Sequence, residues 1–240
     1  MISVCIPSFN GSKYIKLQLI SILTQLSKND EVVISDDSST DDTIEIIKSI
    51  NDNRVKLFEN NKFRSPIYNL ENALKHSKGD YIFLSDQDDV WINNKVEIMY
   101  NYLQTNDLVI SDCILIDADS KIIAPSFYKL NNSKKGFLNN FIHNGYLGCC
   151  MAFNRQILNY NLPFPRKIAM HDIWIGLNTE IHGKVLFIDD KLVMYRRHSS
   201  NYSPTAEKSK FSLLYKIKYR LKFLILIGLR YMSTNFNKSR

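Results

Sequence analysis

The sequence YIFLSDQDDVW at residues 81–91 runs from an apolar segment directly into three carboxylates within four residues. The apolar part has the length and composition of a buried β-strand. Alternation along an extended backbone places Asp86 and Asp88 on the same side, where two like charges disfavour joint ionisation. Because oxygen ligands suit hard divalent cations, a metal ion would offset this repulsion. The alternative is a solvated acidic turn, since Asp is common after strands and at helix N-caps.

Predicted strands and helices alternate through the first half of the chain. Strands are expected at residues 2–6, 31–35, 55–58 and 81–84, and helices at 14–26, 43–50 and 69–76. This alternation predicts an α/β fold, with a Rossmann-like, mostly parallel sheet flanked by helices. Ligands of such sheets bind beyond the carboxyl ends of the strands, and three polar clusters stand there, at residues 7–10, 36–39 and 86–89.

The second half of the chain is less regular. Apolar runs predict strands at residues 108–113, 121–123, 148–153 and 185–188, and a further extended segment at 193–198. Residues 125–143 are interpreted as loop and short helix, and an apolar helix is expected to follow His171 and Asp172 as far as Ile181.

The positive charge is concentrated at the C-terminal end of the chain. Residues 1–205 contain 22 Lys and Arg against 23 Asp and Glu, whereas residues 206–240 contain nine basic residues and only Glu207. The main domain therefore needs no polyanionic partner, and we expect no nucleic-acid binding. The four cysteines lack the C-x-x-C spacing of zinc sites and no leader segment precedes them, so they are interpreted as reduced thiols of a cytosolic protein.

An ordered set of motifs resembles family 2 glycosyltransferases with the GT-A fold. The matching segments are residues 3–10, 21–25, 31–41, 79–82, 85–91 and 171–172. The resemblance covers about residues 1–203, and the DQDDxW form at residues 86–91 particularly resembles bacterial enzymes that build O-antigen and capsule polysaccharides. It implies a GT-A domain at 1–205, with a nucleotide-sugar-binding half at 1–110 and an acceptor-binding half at 111–205.

The resemblance also implies roles for residues on the donor side. The expected donor-binding residues are Pro7, Phe9, Asn10, Asp36, Asp37, Asn69 and Asp86. Phe9 is expected to stack near the nucleobase and Asp37 to hydrogen-bond it, with Asp36 alongside. Asp86 is expected to lie by the ribose and the metal, and Asn69 matches an Asn at the start of a helix.

Metal binding and base catalysis are implied in the same way. Asp88 is expected to bind the Mn2+ or Mg2+ that bridges the donor diphosphate, and His198 matches a position that reaches the metal or diphosphate in some members. Asp172 matches the carboxylate that acts as general base in inverting members. Two alternatives remain open: Asp172 as a helix N-cap, and residues 196–198 as a solvated basic turn.

Two further features leave alternatives open. Trp91 and Trp174 directly follow acidic motifs, and each is either a wall for sugar stacking or a core residue. Relatives commonly carry a glycine between the third strand and the next helix, where this chain has residues 61–66. The approach of the backbone to the donor is expected to differ there.

The expected function is inverting, metal-dependent transfer of a hexose or deoxyhexose. A donor of the UDP-Glc, UDP-Gal or dTDP-Rha type and a polyprenyl-diphosphate-linked saccharide acceptor are implied. One alternative is a nucleotidyltransferase acting on sugar phosphates, but residues 7–11 are not the Gly-rich, basic triphosphate loop that such enzymes need. A second alternative is a non-catalytic module that binds carbohydrate or membrane.

Residues 206–240 are predicted to be a basic, amphipathic, membrane-associating tail. Apolar and basic residues separate on a helix over residues 211–229, but the longest apolar run there is far shorter than the ~20 residues of a membrane span. We expect peripheral attachment to the anionic, cytoplasmic face of the bacterial inner membrane, where the acceptor is expected. The alternative is a helix that packs back on the domain.

Overall fold

A computed structural model describes residues 1–166, 168, 170–198 and 213–238. The predicted boundary between residues 205 and 206 lies outside the described residues. The strands are β1 Ile2–Ser8, β2 Glu31–Asp36, β3 Val55–Phe58, β4 Tyr81–Leu84, β5 Val90–Trp91, β6 Leu108–Ile116, β7 Ile122–Ala124, β8 Met151–Asn154 and β9 Val185–Arg196. The helices are α1 Ile15–Leu23, α2 Thr43–Ser49, α3 Pro66–His76, α4 Lys95–Leu103, α5 Phe127–Asn131, α6 Phe137–Ile142, α7 Leu158–Asn161, α8 His171–His182 and α9 Leu213–Lys238.

All nine strands belong to one sheet, in the order β3-β2-β1-β4-β8-β6-β9-β5 with β7 paired to β6. Strands β1 to β4 are parallel neighbours, and the chain order reverses between β1 and β4. β1 pairs with β4 only as far as Cys5 and Leu84, and Pro7 has no N–H with which to extend this ladder. In open α/β sheets the ligand crevice lies at the carboxyl ends of the strands where the chain order reverses, which here are the ends of β1 and β4.

The second half of the sheet is mixed. β8 runs antiparallel to both β4 and β6, whereas β6 and β9 are parallel. The predicted segments at 185–188 and 193–198 form one strand, β9, because β6 pairs along its whole length with a shifted register near Asp112. The predicted strand at 148–153 was wrong at its start, since residues 148–150 form a 3-10 turn. The α/β fold with a helix-flanked sheet is confirmed, but only four of the eight strand pairings among the described residues are parallel, so the sheet is mixed and not mostly parallel.

The core lies between the central strands and the helices packed on them. The inward residues of β1, β2, β4 and β6 are buried as continuous apolar runs, as expected for strands covered on both faces. Trp91 packs against Phe83 with ring centroids 5.8 Å apart, and the buried Trp174 donates from Nε1 to the Asn161 carbonyl at 3.0 Å. Both tryptophans are therefore core residues, and the alternative of a sugar-stacking wall is wrong.

Helix α9 packs through one side on the second half of the domain, against Leu162 and Trp174. Phe223 and Ile227 are buried, and the Phe223 ring meets Trp174 edge to face at 5.7 Å. Arg230 Nη1 donates to the Leu162 carbonyl at 2.6 Å. The predicted amphipathic helix is thus present and packs back on the domain, while its opposite side stays exposed. Across the part of the chain that the structure describes, no helix combines the length and the apolar content needed to cross a bilayer.

Candidate functional site

The loops after β1 and β2 are locked together at the carboxyl edge of the sheet. Asn10 Oδ1 accepts the Thr40 backbone N–H at 2.8 Å, and the Asn10 N–H donates to Ser39 Oγ at 2.9 Å. The next amide, of Gly11, donates to Thr43 Oγ1 at 2.7 Å. Asn10 holds a left-handed backbone with φ of 48°, a conformation that Asn tolerates better than most residues. The first two polar clusters therefore form one rigid edge.

Asp36 and Asp37 are bonded to the protein through all four carboxylate oxygens. The fully buried Asp36 accepts from Ser8 Oγ, Ser39 N and Ser39 Oγ, each at 2.7 Å. Asp37 accepts the backbone N–H groups of Phe63 and Ser65 at 2.6 and 3.2 Å. These bonds fix the 61–66 loop, where the sequence departs from its relatives, against the end of β2. Donor contacts of both residues stay a prediction.

Gln87, inside the acidic motif, forms two hydrogen bonds to the loop after β1. Its Oε1 accepts the Phe9 N–H and its Nε2 donates to the Phe9 carbonyl, both at 2.9 Å. A Cβ at Gly11 would collide with this amide, so a larger residue there would displace Gln87 from Phe9. The Phe9 side chain remains 53% exposed. An aromatic face is therefore presented at the mouth of the crevice, as the stacking role requires.

Pro7 and Asn69 lie behind this mouth. Pro7 is the penultimate residue of β1 and is half-buried. Asn69, on α3, is buried and donates from Nδ2 to the Ser8 carbonyl at 3.0 Å. Asn69 thus supports the end of β1 from the protein interior, and its role toward the donor stays a prediction.

The carboxylates after β4 are crowded and only partly compensated. Burial, together with the charges of Asp88 and Asp172, raises the pKa of Asp86 to about 7. Burial and the charges of Asp88 and Asp86 also raise the pKa of Asp89. Asp89 Oδ1 accepts the Arg196 N–H at 2.9 Å, whereas its buried Oδ2 has no hydrogen-bond partner among the described residues. This site holds more negative charge than its neighbours offset.

His198 reaches Asp88 from the end of β9. His198 Nε2 and Asp88 Oδ2 are 2.8 Å apart. Arg196 fixes this approach, because its Nε donates to the Asp88 carbonyl at 2.8 Å and its guanidinium lies 4.6 Å from the centre of the Tyr14 ring. The same ring stacks on His198 at 5.3 Å. Since Arg196 is buried, the alternative of a solvated basic turn is wrong for that residue.

A buried lysine lies beneath the acidic cluster. Lys95, the first residue of α4, donates from Nζ to the Cys149 carbonyl at 2.8 Å and lies 4.7 Å from the centre of the Trp91 ring. Its positive charge lowers the pKa of Asp86, against the larger raising effect of burial and of the other carboxylates. One fixed cation therefore offsets part of the charge, and the remainder favours an external cation.

Asp172 lies in the first turn of α8, across the crevice from β4. Burial raises the pKa of its carboxyl to about 6, while hydrogen bonds from the Ile173 N–H and the Asn144 side chain oppose the rise. The Ile173 bond is 2.6 Å long. The N-cap residue of α8 is Met170, so the N-cap alternative for Asp172 is wrong. Because its charge acts on Asp86, Asp172 belongs to the same electrostatic site.

His171 next to it is held by packing. Burial lowers the pKa of its imidazole to about 4, and a Cβ at Gly148 would lie 2.7 Å from its Nε2. A neutral ring packed against a glycine therefore fixes the start of α8. This contact orients the turn that carries Asp172.

The carboxylates in this region fit a hard divalent cation. Asp86, Asp89 and Cys149 each offer an atom, and these atoms lie within 4.8 Å of one another. Cys149 suits such an ion poorly, because sulfur is a soft ligand and burial raises the pKa of its thiol. The unpartnered oxygen of Asp89 and the raised pKa of Asp86 are what carboxylates show when a compensating charge is missing. Asp88 lies between this group and His198. Its role and that of His198 as ligands stay predictions.

Four residues of the site were not predicted from the sequence. Gln87 lies inside the acidic motif and Arg196 lies two residues before His198. Their positions next to predicted site residues were visible in the sequence, but their hydrogen-bond partners were not. Lys95 and Asn144 carried none, because each comes from a segment without any recognisable motif. Long-range pairing alone places them at the site.

Comparisons with known proteins agree with this geometry. The sequence profile of glycosyl transferase family 2 matches residues 3–161. Over 184 residues the chain is 28% identical to the Escherichia coli UDP-Glc:alpha-D-GlcNAc-diphosphoundecaprenol beta-1,3-glucosyltransferase WfgD, with 74% of this chain and 69% of that protein covered.

Two solved structures show the same fold. Staphylococcus aureus TarS 1-349 in complex with UDP-GlcNAc superposes with a TM-score of 0.70 at 19% identity, covering 95% of this chain and 66% of the other. The mannosyltransferase PcManGT from Pyrobaculum calidifontis, in complex with GDP-Man and Mn2+, gives 0.64 at 20% identity and covers 84% and 58%. The fold is GT-A, and the chain belongs to glycosyl transferase family 2.

Proposed function

We propose that this glycosyltransferase is an inverting, metal-dependent enzyme that moves a hexose or deoxyhexose from a nucleotide to a lipid-linked saccharide. The observation that carries the proposal is the convergence of two carboxylate groups across one crevice. Asp86 and Asp88 come from the end of β4 and Asp172 comes from the start of α8, close enough for the Asp172 charge to raise the pKa of Asp86. One group is placed for the leaving diphosphate and the other for the incoming hydroxyl.

The base in this proposal is Asp172. The acceptor hydroxyl oxygen forms a bond to the anomeric carbon while the bond from that carbon to the diphosphate oxygen breaks. The hydroxyl proton passes to the Asp172 carboxylate, and the electron pair leaves with the nucleoside diphosphate. A carboxyl with a pKa near 6 is a stronger base than an ordinary aspartate and is still ionised at neutral pH.

Asp88, with Asp86 and His198 beside it, would hold Mn2+ or Mg2+ at the diphosphate. When bound, this ion supplies positive charge that neutralises the leaving diphosphate. The residues themselves bind and orient the donor: Phe9 offers its exposed ring to the nucleobase, and the two hydrogen bonds of Gln87 set the distance between that ring and Asp88. Asp36 and Asp37 keep the facing loop in place.

A glucose-type donor and a polyprenyl-diphosphate acceptor are the substrates that we favour. The name of the E. coli relative specifies UDP-Glc and a GlcNAc-diphosphoundecaprenol acceptor. UDP-Gal and dTDP-Rha donors remain within the proposal, since nothing at Phe9 or Asp37 selects one sugar. We place the enzyme peripherally at the cytoplasmic face of the bacterial inner membrane, where the exposed side of α9 and its basic residues would contact anionic lipid.

A donor screen tests the proposal. UDP-Glc, UDP-Gal, dTDP-Rha and a GDP-sugar are offered with a synthetic, short-chain GlcNAc-diphospholipid, with Mn2+ or with EDTA. We expect transfer from one donor, its loss in EDTA, and an inverted anomeric centre by NMR. Retention of anomeric configuration, or full turnover in EDTA, would refute the mechanism, and transfer of a nucleotidyl group would instead support the nucleotidyltransferase alternative.

A further inference from the structure

Two long segments of the chain contain no acidic residue, and they meet in the fold. Residues 121–171 contain seven Lys and Arg but no Asp or Glu, and residues 208–240 contain nine Lys and Arg and likewise no acid. The first segment includes α6 and the second includes α9. Arg220 of α9 donates to the Ile142 carbonyl at the end of α6, so the two helices are direct neighbours.

Both helices expose large apolar side chains beside this contact. On α6, Leu138 and Ile142 lie one turn apart and are 72% and 62% exposed, while Phe137 and Phe141 pack inward with stacked rings. A short helix with two fully outward aliphatic residues is unusual in a soluble protein unless something covers it.

On α9 the exposed residues continue this surface. Leu221, Ile225 and Met232 are exposed and by helical spacing lie opposite the buried Phe223 and Ile227. Leu224, on the side of α9 where Arg220 meets α6, connects the two groups and is itself exposed. We call the surface formed by Leu138, Ile142, Leu221, Leu224 and Ile225 the α6–α9 surface.

Lysines surround the α6–α9 surface. Lys134 and Lys135 precede α6, Lys218 and Lys222 lie on α9, and all four are exposed. A second copy of the chain would bring an equally basic surface against this one, which like charges disfavour. Glu180 is half-buried and accepts the Gly136 N–H at the start of α6, so it is the acid next to this surface. Aliphatic residues framed by exposed lysines match an anionic lipid surface, which accepts apolar side chains and attracts each cation by about 1 kcal/mol.

The α6–α9 surface lies close to Asp172, the proposed base. Asn144 follows α6 by two residues, and its side chain hydrogen-bonds the Asp172 carboxyl. α6 also packs on α8, which carries Asp172 in its first turn. A lipid-anchored acceptor entering past α6 would therefore reach the acceptor side of the crevice and not the donor side.

We propose that α6 and α9 together form the membrane-docking surface. In this arrangement α6 contacts the anionic lipid and holds the acceptor side of the crevice next to the membrane. This inference rests on the proposed function and extends it, because the tail alone would attach the protein without orienting it.

Flotation of the full chain with vesicles tests the surface. Vesicles of phosphatidylglycerol and phosphatidylethanolamine are compared with vesicles of phosphatidylcholine. The variant Leu138→Asp/Ile142→Asp is expected to bind anionic vesicles about tenfold or more weakly than the natural protein. The control is Leu17→Asp/Ile20→Asp, an aliphatic pair on α1 that is 50% and 45% exposed, and it is expected to bind as the natural protein does. Lys134→Ala/Lys135→Ala should reduce the preference for anionic vesicles by roughly fivefold per lysine.

Three results would overturn the inference. One is equal binding by the α6 variant and the natural protein, and another is an equal loss in the α1 control. Lipid-free dimerisation that the α6 variant abolishes would also overturn it, in favour of a second copy on the surface.

A soluble-acceptor assay separates this inference from the proposed function. Transfer to the water-soluble short-chain acceptor is expected to be unchanged in the α6 variant, whereas transfer to an undecaprenyl acceptor embedded in vesicles falls with binding. If the natural protein transfers no sugar to either acceptor while the flotation pattern holds, the proposed function fails and the docking surface stands.

Discussion

The carboxylates after β2 and those after β4 lie at the same edge of the sheet, with β1 between them. Asp36 and Asp37 are bonded through every oxygen to hydroxyl and backbone N–H groups, so their charges are satisfied by the protein. Asp86 and Asp89 are crowded by other carboxylates, their pKa values are raised, and one oxygen has no partner among the described residues. The first group holds loops through its hydrogen bonds, whereas the second has uncompensated negative charge that the proposed metal ion would offset.

The largest difference is expected from Asp88→Asn. Loss of one carboxylate at the proposed diphosphate site should lower kcat/KM by about 10³–10⁴-fold, which is about 4–5.5 kcal/mol of transition-state stabilisation. Mn2+ at 100 times its Kd should raise the unfolding free energy of the natural enzyme by about 2.7 kcal/mol and that of the variant far less. Differential scanning calorimetry with and without Mn2+ measures this effect. Equal stabilisation of both proteins would place the ion elsewhere.

Asp172→Asn should have the second-largest effect, about 10²–10³-fold on kcat. The base must be ionised, and burial raises its pKa to about 6 from the usual 3.8. In the natural enzyme kcat/KM should therefore fall about tenfold per pH unit below about pH 6, because the protonated form accumulates there. The residual kcat/KM of the variant should not fall in this way below pH 6. If the variant keeps full turnover, or if its kcat/KM still falls below pH 6 as in the natural enzyme, Asp172 is not the base.

Asp36→Asn tests the other side of the comparison. An asparagine keeps the shape but loses charge-assisted bonds to two serines, so the free energy of unfolding should fall by about 2 kcal/mol. For a chain of this size that lowers Tm by about 4–8 °C. Stabilisation by Mn2+ should persist, in contrast to Asp88→Asn. If instead the variant kept its Tm and lost metal binding, the division between a structural and a cation-binding cluster would be wrong.

Phe9→Ala should give the smallest effect. Loss of one exposed stacking face is expected to raise the KM for the nucleotide sugar by about 5–10-fold, or about 1 kcal/mol, with kcat little changed. Phe9→Tyr is the matched control, since it keeps the ring and should keep the KM. An effect on kcat alone would show that the ring serves the chemistry and not the nucleotide.

Much of this fold could be predicted from local patterns. The four parallel strands, their polar ends and the helix after His171 are continuous apolar runs with clear stops, and the structure confirms each to within a few residues. The antiparallel insertion of β8 between β4 and β6 could not be predicted, because strand order depends on contacts between segments about 40 to 70 residues apart.

The candidate site could likewise be predicted only in part. The motif predicts which acids gather at the edge, but it does not distinguish satisfied acids from unsatisfied ones. That difference depends on partners such as Ser8, Lys95 and Arg196, which lie on other elements. Arg196 shows the limit best, since a row of basic residues near a chain turn suggests solvent exposure until β6 is seen to bury it along β9.

The amide of Gln87 bonds both backbone groups of Phe9, as a neighbouring strand would do. These two bonds join the residue proposed to face the nucleobase to the residue before Asp88, so the two ends of the proposed donor site are expected to move together. A substitution that shifts the Phe9 ring to suit another base should therefore also shift the carboxylate proposed for the diphosphate. In evolutionary terms, a new base preference is then easier to reach through the 61–66 loop, which Asp37 ties to β2 and which makes no such bridge.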